Sequence, residues 1–478
     1  MLLRFFIAMW LCTPILVQAQ SADELTMYLK KFAQREGMAG ASFGLSLKHV
    51  QTEEMVLEWQ SEVYYTPASV QKLITTAAAM DVLGPDFRFE TQFWLLPGEA
   101  GAQPSLVIEA AGDPSLGSTW FGQTNPDKIL REIHAWLLQN KVSRLEAIYA
   151  DLGNFSTQGN PDTWVWADLG NYFGCPNSGL CFADNRTALH FQSYAPGSPA
   201  KLLSVYPKIP DCRFESLVTS GPPGSGDEAW VFGAQNQENR IIRGSIPPNK
   251  NDFVVRASVP NPPLFALYQL QLGLQNKGIS CGFYNILPSE VQYREKARLL
   301  GTWKSPPLHE LVTVTNTFSN NLFAEQLLWA LSPENAKERG GKSGLEGLLQ
   351  WIALQMPHRS GIYPVDGSGL SRLNGLSPDF LTRFLCRMSK KPWFERYYES
   401  LPLAGSRGTL SSFNSDGLKG NLRAKSGSME RVRAYAGYLT AKSGKQYALA
   451  AIINHFDTES AQARRALEAL FQLLYETY

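Results

Sequence analysis

The chain has 478 residues, of which 44% are hydrophobic and 18% are charged, and its formal net charge is +1. This length exceeds that of a usual single domain, and the apolar content is enough for substantial cores. Because the charges nearly balance, we expect no nucleic-acid partner, since an electrostatic role there needs a basic surface. A surface rich in Trp and Tyr suits uncharged or zwitterionic ligands better.

Residues 1–19 are predicted to be a secretion signal. They begin with the basic start MLLR, continue with the apolar run FFIAMWLCTPILV and end in VQA, which suits cleavage after Ala19. The apolar run is too short to span a membrane comfortably, and no later segment reaches the required length. We therefore expect a soluble exported protein with no transmembrane anchor after cleavage. Its expected location is extracytoplasmic, in the periplasm where the organism has one.

The next elements combine helices and strands. Residues 21–36 have the pattern of an amphipathic helix, and ASFGLSLKHV and EMVLEWQ alternate like two strands joined by a polar turn at Gln51–Glu53. The stretch YTPASVQKLITTAAAMDVLG predicts an apolar helix that begins near Ala68 or Ser69. From about Phe87, strand-like runs alternate with helices.

The middle of the chain differs in composition from its two ends. Between roughly 175 and 262 it is rich in Pro, Gly and Asn, with short strands, which indicates a small inserted β-rich module. Helical patterns return near 308, with an apolar helix starting around Asn320 and others over 343–356 and 377–389.

The end of the chain returns to strands. Two strands are predicted, over NLRAKSGSMERVRAYAGYLTA and over QYALAAIINHF. The first half of the first segment is a candidate for irregular structure. A helix is predicted over about 458–477. Strands at both ends of the sequence, with helices between them, predict one α/β sheet assembled from the two termini. A large insertion interrupts it.

Five cysteines follow the predicted signal: Cys175, Cys181, Cys212, Cys281 and Cys386. Cys175 and Cys181 flank a Gly/Pro/Asn loop and predict a disulfide outside the cytoplasm, and Cys212 and Cys281 are a second candidate pair. Cys386 lies in a helical pattern and is expected to be a buried thiol. A zinc site is the alternative, but the chain has neither CxxC nor HExxH, so no metal or other cofactor is expected.

Three short spacings recur and suggest chemistry. Ser-x-x-Lys occurs at Ser69/Lys72 and at Ser198/Lys201, and Ser-x-Asn occurs at Ser319/Asn321 and at Ser412/Asn414. Lys-Ser-Gly occurs three times, beginning at Lys342, Lys425 and Lys442. Ser198 lies in a Pro/Gly turn, Ser412 in a polar loop and Lys442 at a hairpin turn, which favours structural roles for all three. Lys342 precedes a helix that Ser343 is expected to cap.

The remaining occurrences differ in their surroundings. Ser69 lies at a helix N-terminus, where free N–H groups favour developing negative charge, and Lys72 follows on the same face. If Lys72 is buried, its pKa falls and it can take the Ser69 proton. Ser319 and Asn321 head a second apolar helix, and Lys425 precedes a strand that could pair with an extended peptide. The three motifs in this order favour catalysis over three chance matches.

The chain resembles the D-alanyl-D-alanine carboxypeptidase/endopeptidase family, the low-molecular-mass class C penicillin-binding proteins. The likeness covers nearly the whole exported chain and rests on six segments: TPASVQKLITTAAAMDVLG, AAGDPSL, SNNLFAEQLL, DGSGLSRLNGLSP, LPLAGSRGTL and LRAKSGSM. It implies an α/β (α+β) serine transpeptidase/β-lactamase-like domain, an antiparallel sheet flanked by helices, with two nested inserted domains. The boundaries we expect are 20–85 with 300–478 for the catalytic domain, 86–175 with 263–299 for the second, and 176–262 for the β-rich third.

The resemblance also implies roles for the motif residues. Ser69 would be the acylated nucleophile and Lys72 its base, while Ser319 and Asn321 would relay protons and position the substrate. Lys425 would anchor the terminal carboxylate and support Ser319. Backbone N–H groups of Ser69 and Ser428 would form the oxyanion hole, and Ser426 and Gly427 would bind substrate.

A subsite for the diamino acid of a peptidoglycan stem peptide is implied as well. Asp168 would meet its ammonium, Phe173 would pack on its side chain and Arg372 would meet its carboxylate. Without the resemblance, a surface carboxylate, a core aromatic and a surface arginine are equally good interpretations. Glu430 stands where relatives carry Gln, and the resemblance therefore implies an altered side-chain specificity in this chain.

The activity implied is that of a serine D,D-carboxypeptidase and D,D-endopeptidase that acts on peptidoglycan stem peptides and is acylated by β-lactams. Two alternatives stay open. One is a β-lactamase-like hydrolase, which fast penicillin turnover would favour, and the other is a weakly catalytic peptidoglycan-binding protein. Self-association is expected to be at most a weak homodimer.

Overall fold

The computed structural model describes residues 24–478 except Glu36 and Arg359, so the predicted signal at 1–19 lies outside the described residues. Its first helix is described over 24–33. The later α-helices are Lys72–Leu83, Pro126–Gln139, Trp166–Leu169, Pro262–Gln275, Leu308–Phe318, Asn321–Ala330, Gly341–Gln355, Pro378–Met388, Phe394–Ser400 and Ser460–Thr477. The apolar helix predicted near Asn320 thus begins one residue later.

A five-stranded antiparallel sheet joins the two ends of the chain, as predicted, and is called the terminal sheet below. Its strands in spatial order are Leu422–Met429, Val432–Thr440, Gln446–Asn454, Ser42–His49 and Met55–Trp59. Leu422–Met429 lies at one edge. Its outer backbone groups therefore have the geometry to pair with an extended peptide.

The prediction of a single strand over NLRAKSGSMERVRAYAGYLTA was wrong. The segment forms two strands, in which Met429 pairs with Val432 around a tight turn at Glu430 and Arg431. Arg431 adopts a left-handed φ of 58° there. The turn lacks the Asn-Gly or Asp-Gly that usually marks such hairpins, so the sequence carried no local signal for it.

Helices cover both faces of the terminal sheet, which confirms the predicted fold class. Along the strand Val432–Thr440, Ala434 and Tyr438 join a core with the helices that include Lys72–Leu83 and Pro378–Met388. Tyr435, between them, joins a second core with the C-terminal helix. Successive side chains of a strand point to opposite faces, so alternate residues are buried in different cores.

A second five-stranded sheet has mixed pairing. Its strands in spatial order are Ser280–Ile286, Arg144–Asp151, Ser105–Glu109, Glu90–Leu96 and Arg298–Lys304. The first three are parallel and the last two pair antiparallel. The helices Pro126–Gln139 and Pro262–Gln275 pack on this sheet around a separate apolar core.

Two three-stranded sheets lie within the stretch expected to be β-rich. Their strands are Arg186–Gln192, Lys201–Tyr206 and Phe253–Ser258 in one, and Arg213–Ser220, Trp230–Phe232 and Asn239–Ile246 in the other. They enclose a small core of their own. Ile362–Tyr363 pairs with Gly375–Leu376 in a short ribbon. The domain boundaries given above stay predictions, and the strand Arg298–Lys304 crosses one of them.

The predicted disulfides are absent from the described part of the chain, where all five cysteines are free thiols. Cys175 Sγ donates to the backbone oxygen of Asn185 at 3.1 Å, and Cys181 Sγ accepts from Asn185 Nδ2 at 3.3 Å. Each sulfur is thus engaged by Asn185 rather than by the other sulfur. Burial raises the pKa of both thiols to about 12. Cys386 is a buried thiol, as predicted.

Candidate active site

Ser69 lies in a single 3₁₀ turn, Ala68–Gln71, that leads directly into the helix Lys72–Leu83. Ala68 is fully buried and adopts a φ of 48°, a left-handed conformation that costs an alanine roughly 1–2 kcal/mol. Such strain persists only where the surroundings fix the backbone, and it clusters at functional sites. The turn presents a half-buried Ser69 at the head of the helix.

Two glycines allow neighbouring segments to approach this turn. A Cβ at Gly369 would lie 1.9 Å from the backbone oxygen of Ala68, and one at Gly427 would lie 2.4 Å from that of Pro67. No side chain fits at either distance. The loop carrying Gly369 and the edge strand carrying Gly427 therefore close on the Ser69 turn from two directions.

Lys72 is fully buried directly behind Ser69. Its Nζ donates to Ser69 Oγ at 2.9 Å, to Asn321 Oδ1 at 2.6 Å and to the backbone oxygen of Ser368 at 2.6 Å. Burial lowers the pKa of Lys72 to about 7, although the nearby carboxylates of Asp366 and Glu325 oppose that shift. A substantial fraction of this amine is therefore neutral near pH 7.

Asn321 connects Lys72 to the rim of the site. Its neighbour Asn320 caps the helix Asn321–Ala330 by accepting from the Phe323 N–H at 3.1 Å, which places Asn321 on the first turn. The Asn321 side chain then accepts from Lys72 and donates through Nδ2 to the Phe173 backbone oxygen at 2.8 Å. The amide orientation is thus fixed at both ends.

Ser319 and Lys425 approach the same site from two other elements. Ser319 ends the helix Leu308–Phe318 in a left-handed conformation with φ 61°. Lys425 is fully buried in the edge strand, and its Nζ donates to the Ser426 backbone oxygen at 2.8 Å. Burial first, and then the charge of Lys72, hold the pKa of Lys425 well below its usual range. The support of Ser319 by Lys425 that the resemblance implies stays a prediction.

A cavity of about 510 Å³ opens over these groups. The predicted residues that line it are Ser69, Asp168, Phe173, Ser319, Asn321, Arg372, Ser428 and Glu430. Lys72 and Lys425 lie buried beneath it. The two remaining predicted residues, Ser426 and Gly427, lie on the edge strand, where Ser426 donates its hydroxyl to Thr409 Oγ1 at 2.6 Å.

One wall of the cavity combines two charges with an aromatic ring. Burial raises the pKa of Asp168, and the charge of Arg372 partly opposes that increase. The Phe173 ring lies between the rings of Tyr172 and Trp230, at centroid distances of 5.4 Å and 6.0 Å. A carboxylate, an exposed guanidinium and an aromatic surface can together contact a zwitterionic side chain. Glu430 is exposed at the hairpin tip.

Sequence reasoning missed two buried carboxylates beside Lys72. Glu325 and Asp366 are 1% and 0% exposed, and both influence Lys72. Glu325 lies four residues after Asn321, on the same face of an apolar helix, and that pattern could have identified it. Asp366 opens the DGSGLSR segment, in which the resemblance assigned a role to Arg372 but none to Asp366. Among the described residues, no cluster of three or more His, Cys, Asp or Glu could hold a metal ion.

The arrangement can perform nucleophilic catalysis. A serine hydroxyl at a helix head contacts a buried amine with a lowered pKa, which is the nucleophile–base geometry. Ser69 and Ser428, the two residues expected to form the oxyanion hole, both line the same cavity. No helix within the described residues combines the length and apolarity that crossing a membrane requires.

The chain is similar to known proteins over most of its length. Residues 25–474 match the model of the D-Ala-D-Ala carboxypeptidase 3 (S13) family. The chain is 25% identical over 452 residues to the D-alanyl-D-alanine carboxypeptidase of Actinomadura sp. (strain R39), covering 91% of this chain and 82% of that protein.

Solved structures show the same fold. The crystal structure of penicillin binding protein 4 (dacB) from Haemophilus influenzae superposes with a TM-score of 0.79 at 23% identity, covering 93% of this chain and 98% of that one. The same protein complexed with a novel β-lactam superposes with a TM-score of 0.73 at 22% identity, covering 91% and 96%.

Proposed function

The chain belongs to the D-Ala-D-Ala carboxypeptidase 3 (S13) family, and we propose that it is an exported serine D,D-carboxypeptidase and D,D-endopeptidase of peptidoglycan. The observation that carries this proposal is the 2.9 Å contact between Lys72 Nζ and Ser69 Oγ beneath the 510 Å³ cavity. A buried amine at that distance is a base for the hydroxyl.

Acylation begins with neutral Lys72. Its two N–H groups donate to Asn321 Oδ1 and the Ser368 carbonyl, which leaves the lone pair directed at the Ser69 hydroxyl. Ser69 Oγ bonds to the carbonyl carbon of a D-Ala–D-Xaa peptide while its proton passes to Lys72. The backbone N–H groups of Ser69 and Ser428 hold the resulting oxyanion.

Collapse of that intermediate breaks the C–N bond. The proton on Lys72 returns, through Ser319, to the leaving nitrogen, and free D-alanine or the crosslinked partner departs. Water then attacks the ester, giving its proton to Lys72, and Ser69 recovers its hydroxyl hydrogen as the acid is released. The same base therefore serves acylation and deacylation.

The edge strand and Lys425 orient the substrate. An extended peptide can add to the free edge of the terminal sheet along Ser426–Ser428, as peptides do at other open edges. Lys425 is buried within this strand, and a terminal carboxylate bound beside its amine favours the protonated, attracting form. On the opposite wall, Asp168 and Arg372 receive the ammonium and carboxylate of the stem-peptide diamino acid, and Phe173 packs on its methylene groups.

Acylation by β-lactams follows from the same chemistry, because their strained amide presents a carbonyl carbon and a carboxylate in similar positions. The β-lactam complex of the Haemophilus influenzae protein, which shares this fold, supports that part of the proposal. Export is supported by the predicted signal at residues 1–19.

Digestion of defined muropeptides, read by mass spectrometry, tests the proposal. Wild-type protein should release D-alanine from uncrosslinked pentapeptides and convert crosslinked dimers into monomers, and Ser69→Ala should do neither. Wild-type protein that binds purified peptidoglycan but releases no D-alanine and opens no crosslink would favour a weakly catalytic binding protein instead. Rapid turnover of penicillin without attack on muropeptides would favour a β-lactamase.

A further inference from the structure

The loop 366–371 supplies the Ser368 carbonyl that holds Lys72, and a buried carboxylate organises that loop. Glu325 Oε1 accepts from the N–H groups of Gly367 at 3.0 Å and Ser368 at 2.7 Å. Its Oε2 also accepts from Gly367, at 3.1 Å. Because Ser368 both donates to Glu325 and accepts from Lys72 at 2.6 Å, a displaced Glu325 would move the carbonyl that orients the amine.

Asp366 stabilises the loop 366–371, to which it belongs, through hydrogen bonds of its own side chain. Its two oxygens accept from the N–H groups of Gly369 at 2.7 Å and Ser371 at 2.6 Å. They also accept from Asn374 Nδ2 at 2.8 Å and from the Trp164 indole at 2.9 Å. With four donors, the Asp366 carboxylate is built into the fold. Glu325 is the member of the pair whose removal the fold can better tolerate.

We infer that Glu325 is a positioning residue of the reaction, which fixes the Ser368 carbonyl against Lys72 and places a negative charge beside the amine. This inference rests on the proposed role of Lys72 as the base. Both Glu325 oxygens accept backbone N–H groups, an arrangement that an ionised carboxylate satisfies. Burial and the neighbouring Asp366 raise the pKa of Glu325 to about 8, and the hydrogen bonds from Ser368 and Gly367 oppose that increase because they favour the ionised carboxylate.

Other charged groups surround the pair. On the edge strand, burial first and then the charge of Lys72 lower the pKa of Lys425. Behind Glu325 and Asp366 lies a second cavity of about 380 Å³. The charged side chains that line this rear cavity besides those two are Asp162, Glu338 and Lys342. Within the described part of the chain, the carboxylates that act to raise the pKa of Lys72 are Asp366 and Glu325.

The pH dependence of acylation distinguishes positioning from a purely structural role. The substitution Glu325→Gln keeps an oxygen that can accept from Gly367 and Ser368 but removes the charge. Without that charge the Lys72 ammonium is less stable, so the acid limb of the penicillin acylation rate should move to lower pH by about one unit. The plateau rate should fall by about tenfold as the carbonyl loosens.

The control is Glu468→Gln. Glu468 is 8% exposed and accepts from the N–H groups of Asn414 at 2.6 Å and Ser415 at 3.0 Å, which is the same structural use of a carboxylate outside the active site. This variant should lose stability and keep the wild-type pH midpoint. An unchanged midpoint in Glu325→Gln would overturn the inference.

A second variant covers the case in which Glu325→Gln does not fold. Glu325→Asp retains the charge on a shorter side chain, so its plateau rate should fall while its midpoint stays within about 0.3 units of the wild type. A midpoint displaced as far as one unit would contradict the inference. None of these outcomes bears on Ser69, whose acylation by penicillin is measured separately, so the proposed function can stand if the inference fails.

Discussion

Asn321 Oδ1 accepts a 2.6 Å hydrogen bond from Lys72 Nζ across 249 positions of sequence. The contact joins the first turns of two apolar helices and directs the amine toward Ser69, which it meets at 2.9 Å. Asn321 also donates to the Phe173 backbone oxygen, so its side chain links the Lys72 amine to the wall of the cavity. The site is thus organised around one buried amine.

Replacing Lys72 by Ala should lower the penicillin acylation rate by about 10²–10⁴-fold, which is the usual contribution of a general base. In the wild type the neutral amine is the active form and its pKa is about 7, so the rate should rise through about pH 7 and level off above it. Stopped-flow measurement of acylation from about pH 5 to about pH 9 checks both the rate loss in Lys72→Ala and the pH dependence of the wild-type rate.

The matched control is Lys201→Ala, because Ser198 and Lys201 have the same spacing in a different context. Ser198 lies in a bend and Lys201 is exposed at the start of a strand, so the acylation rate should not change. A Lys72→Ala protein that folds and keeps more than about a tenth of the wild-type rate would rule out Lys72 as the base.

Gly427→Ala should abolish acylation without unfolding the protein. The added methyl group would lie 2.4 Å from the Pro67 backbone oxygen, so the edge strand must retreat from the Ser69 turn and carry Ser428 with it. Gly40→Ala is the control, because a Cβ there meets no atom within 4 Å. Adduct formation and thermal melting are measured for both. Acylation of Gly427→Ala at the wild-type rate would contradict the role of this close approach.

Asp168→Asn should lower kcat/KM for stem peptides that carry a free side-chain ammonium by about tenfold or more, since a charge-assisted hydrogen bond is lost. Acetylation of the same ammonium in the substrate gives the matched comparison. Wild-type protein should discriminate between the two peptides, and the variant should treat them nearly alike. Equal discrimination by both proteins would show that the ammonium binds elsewhere.

Asp81→Asn should destabilise the fold by about 1–3 kcal/mol near pH 7, because buried donors lose a charged acceptor. Asp81 accepts from the Trp351 and Trp393 indoles at 2.9 Å each and from Lys391 at 2.8 Å. Burial acts to raise the pKa of Asp81, but these three bonds outweigh it and hold the pKa below its usual value.

A depressed pKa stabilises the fold above the unfolded value of about 4, and that stabilisation is lost as the pH falls through the folded value. The difference in stability between wild type and Asp81→Asn should therefore shrink below about pH 4, as urea unfolding would measure. Asp416→Asn is the control, since its partner Lys419 is exposed and little stability depends on that pair. A difference that is constant from pH 7 to pH 3 would contradict this assignment.

Local patterns predicted much of the site. The apolar helices that follow Ser69 and begin at Asn321 were both readable from spacing, because each apolar pattern lies within a single element, whereas Ser319 ends the preceding helix. The resemblance then pointed to Asp168 and Arg372, which line the same cavity. The spacing of residues in the sequence does not give the distance in space between residues that are hundreds of positions apart.

The features that sequence reasoning missed depend on such distant contacts. Glu325 binds backbone N–H groups 42 and 43 residues away, so nothing near it reveals its partners. The division of residues 421–441 into two strands was missed because Glu430 and Arg431 form a hairpin turn without the residues that usually mark one. The Cys175–Cys181 disulfide was expected from proximity in sequence, but Asn185 engages both sulfurs.

The central claim is that Ser69 becomes covalently acylated with the help of Lys72. Intact mass spectrometry after incubation with penicillin tests it most directly. Wild-type protein and Ser198→Ala should each gain the mass of one penicillin, and Ser69→Ala should gain none. A wild-type chain without an adduct that also leaves the penicillin intact, or a Ser69→Ala chain with the same adduct as the wild type, would contradict the account.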